Sequence, residues 1–545
     1  MEELNENYCK NLGKEFANKL WNSRKELEKS LITNKKQNQR NKPIKSSDLT
    51  RVTKIVSLFL SILISITFPS IKVWFSQVLT SLTRKPKIAM YLTDLLSVLK
   101  ITSHSNDYER ILEKKRINNI DPKKRFQQNQ NIWNLAVIDN IDFKQKTFTY
   151  GNIFDTTRET SHTTIRMAFQ TELPNPINET KDDEKKLISD QVFGLNNTAI
   201  QIMDLFNKIF DEHLAFYYSD STGELQYMTN FDATTIHNKI LEKLTHGCFD
   251  NSSHVVILEA GGMPSSNEGI YQSADMYKKD FLLNSDNYLD IVGDESIFRR
   301  LMNIRKEWPN LLPILGMWHT NKDMLSAIIV IFSSYGIFDL CTAIGVKFLD
   351  KFEKVIDYRA TIRTIELIWI SVGIALHIHL KLKNININNI LDRNFEKNQI
   401  RQVWYLFYHW VGLLLAHKAG IRIGNFEIQK YTLAAFAPLL SFTGKSNYAQ
   451  SIAHFFGILE KYPKLEEKLQ YVLSFKVLEE KRGHFLAFDE APETFGVKFV
   501  KQNITGNVID SENLKRQVKA AQTEYERIEI LLNEYLNNIP TSNYD

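Results

Sequence analysis

Residues 134–143 read NLAVIDNIDF, a short apolar run rich in β-forming side chains that closes on Asp139, Asn140 and Asp142. Branched aliphatic residues suit a packed, pleated surface, and the polar close marks where such a strand leaves the core. KTFTYGNIF (146–154) and HTTIRMAFQTEL (162–173) continue the same texture, joined by the polar DTTRETS (155–161). Three strands with short connections predict an antiparallel meander. HVVILEAGG (254–262) and NYLDIVGDES (287–296) then read as strand-to-turn units. SIFRRLMNIRKEW (296–308) follows as an amphipathic helix, and LLPILGMWH (311–319) as a further buried strand. Strands that alternate with a helix predict a mixed α/β fold.

Beyond residue 320 the pattern is helical to about 480, with Trp369, Trp404 and Trp410 in long aromatic-rich segments. No fixed-period repeat stands out, so a solenoid is not expected. The expected whole is a mixed α/β protein, predominantly helical. Residues 1–50 form a polar, basic arm, and 51–130 a basic helical region suited to DNA. Residues 131–319 carry the first part of the α/β core and 320–480 a helical insertion. The last acidic helix occupies 481–510, and 511–545 an amphipathic tail helix.

The 68 basic and 63 acidic residues nearly cancel, yet they are unevenly placed. The first 125 residues hold 25 Lys+Arg against 12 Asp+Glu, while the rest hold 43 against 51. A basic front on an acidic body predicts a polyanionic partner. Lys114, Lys115, Arg116, Lys123, Lys124 and Arg125 form the densest basic run and are the expected contacts to a DNA backbone. The alternative is a solvated helix face. Cys9, Cys248 and Cys341 are far apart, so no zinc finger and no disulfide framework is expected. A reducing compartment follows, nucleus before cytoplasm, and the acidic start argues against a secretory signal. IVSLFLSILISITF (55–68) is shorter than the ~20 residues that span a bilayer. Ile365–Leu380 carries Glu366, His377 and His379, so buried helices are favoured over a membrane protein.

Asp139 and Asp294 each close a strand. A carboxylate there is held rigidly, as metal chemistry demands. Two Mg²⁺ (or Mn²⁺) ions serving a phosphodiester need acids converging from several elements. FDEAPE (488–493) supplies the third, with Glu493, Glu490 and Asp489 as candidates, and Pro492 suits a first helical turn. The competing reading is plain: Asp after a strand is a common turn former, and Asp489 is a natural helix cap. The order strand, strand, strand, acid-bearing strand, helix, strand is that of a ribonuclease-H-like sheet, an analogy of fold.

Other candidates are less specific. His319 follows the last strand and is either a neighbour of Asp294 in the site or a structural histidine. Arg299 and Arg300 either grip phosphate or pair with acids such as Asp290. Arg158, His162 and Arg166 are a substrate edge or loop packing. EAGGMPSS lacks the Gly-Lys-Ser/Thr ending of a phosphate loop, so it gives no support for nucleotide binding.

Taken in order, VIDNIDF, GNIFDTTRETSHTTIRMAFQ, VGDESIFRR with GMWH, and GHFLAFDEAPETFGVKFVK resemble a transposon-derived family abundant in fungi and catalogued as a domain of unknown function. That family is similar to DDE transposases. The resemblance implies a ribonuclease-H-like core interrupted by a helical insertion. It implies Asp139, Asp294 and Glu493 as catalytic metal ligands, with Asp489 and Glu490 as substitutes for the third and Asp142 as a rival to the first. His319 would fall on the fifth-strand edge near the metals. DNA is the implied partner, a homodimer the implied assembly, and metal-dependent cleavage or strand transfer the implied activity. A catalytically silent remnant that binds DNA or protein is the alternative.

Overall fold

The computed structural model describes residues 122–129, 131–144, 160–177, 193–247, 253–387, 390, 398–476 and 485–493. The basic front up to residue 121, including Lys114, Lys115 and Arg116, lies outside the described residues. So do the 146–154 stretch and the tail helix expected at 511–545.

The architecture is mixed α/β. Its centre is a five-stranded sheet of β1 (Ile132–Lys144), β2 (Thr160–Glu172), β3 (His254–Ile257), β4 (Leu289–Gly293) and β5 (Leu311–Leu315). The order is β3-β2-β1-β4-β5. β1 pairs antiparallel with β2, from Ile132 opposite Glu172 to Lys144 opposite Thr160. β3 adds antiparallel to β2, whereas β4 and β5 run parallel to β1. The third member of the antiparallel set is therefore HVVI at 254–257. β5 carries Pro313 at the sheet edge, where its missing N–H costs no ladder bond.

Leu135, Ala136, Val137 and Ile138 are all at most 1% exposed, so β1 is covered on both faces. Period-two alternation divides the labour. Ala136 and Ile138 face a core shared with Ile270, Ala274 and Tyr277 of α3 (Asn267–Asp280) and Ile297 and Leu301 of α4 (Glu295–Ile304). The hydroxyl of Tyr277 lies 2.7 Å from Val137 O and 2.9 Å from Met167 O, tying α3 to β1 and β2. Trp133, on the alternate set with Asp139, donates its indole N–H to Asp290 Oδ2 at 2.6 Å. Lys468 reaches the same oxygen at 2.9 Å, both charges being buried. Asp290 thus pairs with Lys468, and neither Arg299 nor Arg300 pairs with it.

Two helices lie between β2 and β3 in the chain, α1 (Asn197–Leu214) and α2 (Ala233–Lys243). After β5 come α5 (Met317–Phe332), α6 (Ile337–Ala343), α7 (Leu349–Glu353) and α8 (Tyr358–Lys383). They continue as α9 (Gln399–Arg422), α10 (Phe426–Phe442), α11 (Ser446–Lys461) and α12 (Pro463–Tyr471). The expected boundary at 319/320 falls inside α5, because helical backbone begins at Met317. Trp369 of α8 stacks on Tyr408 of α9, its indole N–H bonded to Tyr408 O at 2.8 Å, and Phe210 of α1 packs edge-on against it. Among the described residues α8 is long and apolar enough to cross a membrane, with half of that window buried inside the protein. A short pair, β6 (Ser474–Lys476) and β7 (Phe485–Ala487), closes the described chain, which turns at Phe488 and Asp489 into a helical start at Glu490.

Candidate functional site

The parallel part of the sheet, β1 with β4 and β5, runs out at one place, although β1 does not close at Asp139 as expected but continues beside β2 to Lys144. Pairing of β1 with β4 ends at Val137 and Val292, and each strand delivers an aspartate two residues later, Asp139 and Asp294. A crevice at the carboxyl ends of parallel strands is where an open α/β sheet binds ligands. β5 ends at Leu315, and Gly316 leads into the first turn of α5, which carries His319.

Asp139 is 3% exposed. Its Oδ1 accepts the Asn140 amide at 2.7 Å, while Oδ2 is buried with no hydrogen-bond partner. Burial pushes its carboxyl up to about 8; His319 opposes that shift, and the charges of Glu493 and Asp294 add to it. The donor atoms of Asp139, His319 and Glu493 all lie within 4.8 Å of one another.

His319 is oriented from outside its own helix. Nδ1 lies 3.1 Å from Asp489 Oδ2, which leaves Nε2 for the cluster. Asp489 also accepts the Trp318 amide at 3.1 Å and the His319 amide at 2.9 Å. α5 has no side-chain cap of its own, so Asp489 satisfies the amides that its N-terminus leaves open. Burial works to lower the His319 pKa, but the bond to Asp489 and the charges of Asp489, Asp139 and Asp294 push it up to about 9. A Cβ on Gly316 would stand 2.5 Å from Asp489 Oδ2, so glycine there permits the approach.

The predicted residues thus separate. Asp139, His319 and Glu493 come together. Asp294 is half-buried beside them, its Oδ1 capping α4 through the Ile297 amide at 2.8 Å. It stands outside the group of close donor atoms, although its charge raises both Asp139 and His319. Asp489 caps a helix remote in sequence and orients the histidine. Glu490 turns away to Arg422, 3.0 Å distant, with Arg359 at 3.9 Å. Of Asp142, the strand backbone is described, opposite His162.

The basic candidates are dispersed. Lys123 lies 3.8 Å from Asp280, Lys124 is exposed, and the Arg125 carbonyl lies 3.0 Å from His254 Nε2. Arg299, half exposed, reaches Glu295 one turn away at 3.6 Å. Arg300 bonds the Ser296 and Ser265 carbonyls. Arg166 is fully buried, paired with Asp280 and seated over the Tyr277 ring, so it packs the core and is no substrate edge.

The cations around α8 and α9 were missed by sequence reasoning, although Arg359/Arg363 and Lys418/Arg422 are each spaced one helical turn apart. The Asp489–His319 pair had no local signal, because 170 positions separate its members. Comparison with protein-family models, curated proteins and solved structures finds no match.

Proposed function

We propose that the chain acts on DNA as a metal-dependent nuclease or strand-transfer protein of the DDE-transposase kind, with a ribonuclease-H-like core. The observation that carries this reading is the convergence of Asp139, His319 and Glu493 at the carboxyl end of a sheet ordered β3-β2-β1-β4-β5. That order, with the acid-bearing β1 central and β4 beside it, is the one the ribonuclease-H-like analogy calls for.

The residues suit a divalent cation on their own chemistry. A buried carboxylate oxygen without a partner is costly, and a cation removes that cost. Two carboxylates and one imidazole are a donor set that favours Mn²⁺ over Mg²⁺, because imidazole suits metals softer than magnesium. Asp139 and Glu493 would hold the ion with His319, and Asp294 would complete the charge around it. When bound, such ions activate an attacking oxygen and stabilise the leaving oxygen of a phosphodiester. The protein's part is position. Asp139 is fixed on a central strand, and His319 is fixed by Asp489, whose carboxylate at Nδ1 orients the ring as carboxylates do for metal-binding imidazoles. Exposed Glu493 lies on the solvent side, where a strand of DNA arrives. Basic residues of the front, with Lys123, Lys124 and Arg299, would neutralise the backbone. Nuclear localisation and a homodimer belong to the same reading.

The test is nicking of duplex DNA by the full-length chain in Mn²⁺ or Mg²⁺. Asp139→Asn, Asp294→Asn and Glu493→Gln should each abolish it while leaving the protein folded. Nicking that survives Asp139→Asn sinks the assignment. One observation favours a second reading, a silent DNA- or protein-binding relative: Asp294 commits an oxygen to capping α4. DNA binding that is indifferent to chelator, with no nicking, would select it.

A further inference from the structure

A second site stands back to back with the first. Asp489 serves the acidic cluster, and its neighbour Glu490 pairs with Arg422, which lines a separate cavity of about 320 Å³ between α2, α8 and α9. Arg359 and Arg363 of α8 and Lys418 and Arg422 of α9 line it, each pair one helical turn apart.

The charges do not balance. The α9 cations are committed: Lys418 to Glu366 at 3.2 Å, and Arg422 to Glu490 at 3.0 Å and to the Phe485 carbonyl at 2.9 Å. Glu366 also takes His237 at 2.6 Å. The α8 arginines are less committed. Arg359 is 75% exposed and approaches Glu490 at 3.9 Å, beyond hydrogen-bond reach. Arg363 is exposed and, among the described residues, has neither a hydrogen bond nor an ion pair. Four cations thus share two carboxylates in a concave space with Ile362 and Ile370 in its wall. Low-dielectric walls focus such a field on an anion. Guanidinium forks match the oxygens of phosphate two at a time, which neither a simple halide nor a neutral ligand exploits.

We propose that this cavity binds a phosphate group, gripped by Arg359 and Arg363 with Lys418 and Arg422 behind them. The phosphate belongs either to a nucleic-acid strand or to a small phosphorylated molecule. The volume, at the small end for ligand cavities, admits one phosphate with its attached sugar. The site goes beyond the metal-dependent reading and requires no metal.

The full-length chain is titrated calorimetrically with pyrophosphate in the presence of EDTA, so that the acidic cluster contributes nothing. Saturable binding is expected, weakened about tenfold or more in the double variant Arg359→Gln/Arg363→Gln. Both side chains are exposed, so the thermal unfolding of that variant should match the parent. Failure to saturate, or equal affinity in the double variant, overturns the proposal. Short thymidine oligomers with and without a 5′-phosphate then separate the sources. Tighter binding of the phosphorylated oligomer than of pyrophosphate assigns the group to a nucleic-acid strand. The reverse order assigns it to a small phosphorylated molecule. Loss of pyrophosphate binding leaves the nicking assay untouched, and loss of nicking leaves this titration untouched.

Discussion

Asp489 Oδ2 lies 3.1 Å from Nδ1 of His319 and, at 2.9 Å, also accepts that residue's own backbone amide. One carboxylate therefore caps α5 and orients the imidazole that its first turn presents. Replacing it removes a cap and a positioning bond together. Asp489→Asn should destabilise the fold by about 1–3 kcal/mol, since an amide accepts through one oxygen and carries no charge. The His319 pKa, held up to about 9, should fall toward its ordinary value, as read by NMR titration of the ring. An unmoved His319 titration would show that Asp489 is a helix cap alone.

Asp139 gives stability a pH dependence of definite sign. Its carboxyl is held at about 8 in the folded protein against 3.8 ordinarily, so between those values the folded state keeps a proton that the unfolded state has lost. Its contribution to stability is therefore present below about pH 4 and declines as pH rises to about 8. His319, raised to about 9 from 6.5, adds a decline of the same sign between those values. In EDTA at pH 8, Asp139→Asn should be more stable than the parent by about 2–3 kcal/mol. Mn²⁺ should reverse the ranking, stabilising the parent by about 4.1 kcal/mol at a thousandfold excess over Kd and the variant hardly at all. Because binding displaces protons from both Asp139 and His319, Mn²⁺ affinity should climb from about pH 6 to about 9 and then level. Thermal unfolding with and without Mn²⁺ reads all three, and a variant less stable than the parent in EDTA would contradict them.

Gly316 is constrained by space. A methyl group there meets the Asp489 carboxylate at 2.5 Å, so Gly316→Ala must displace either the cap or the start of α5. A loss of about 1–3 kcal/mol is expected, together with weaker Mn²⁺ binding. Gly457 has open space around its Cβ position, and Gly457→Ala, within a helix, should be neutral or stabilising by up to about 1 kcal/mol. Equal effects at the two positions in denaturant melts would refute the steric argument.

The buried Asp290–Lys468 pair holds α12 against β4, with Trp133 as the third member. Lys468→Met leaves a buried carboxylate with one neutral donor and should cost about 3–5 kcal/mol. The double variant Asp290→Asn/Lys468→Met should recover part of that loss, a coupling visible in a double-mutant cycle. Additive losses would mean that the two charges do not depend on each other.

The end of β4 was legible because its signal is local: an apolar run closed by Asp294 announces both the strand and the acid that terminates it. Asp139 is different, since β1 continues past it, paired with β2, to Lys144, and the polar residues expected to close the run belong to the strand. HVVI was legible as a strand, but its place beside β2, completing the antiparallel set, was not, since pairing partners leave no mark in either segment. Arg166 read equally well as a substrate edge; full burial over Tyr277 decided for the core.

The chain alone determined that Asp139 lies on a strand, that Asp294 follows the end of one and that acids gather in FDEAPE, because alternation and polar breaks are properties of neighbouring residues. Only the tertiary structure decided which of those acids does what. Asp489, Glu490 and Glu493 lie within five residues of one another yet meet three different environments: the N-terminus of α5, the Arg422 guanidinium, and the donor atoms of Asp139 and His319. A helical turn points successive side chains in different directions, and what waits in each direction is supplied by segments about 70 to 350 positions away. Composition and spacing carry no record of that docking, which is why the acidic cluster could be anticipated and its division of labour could not.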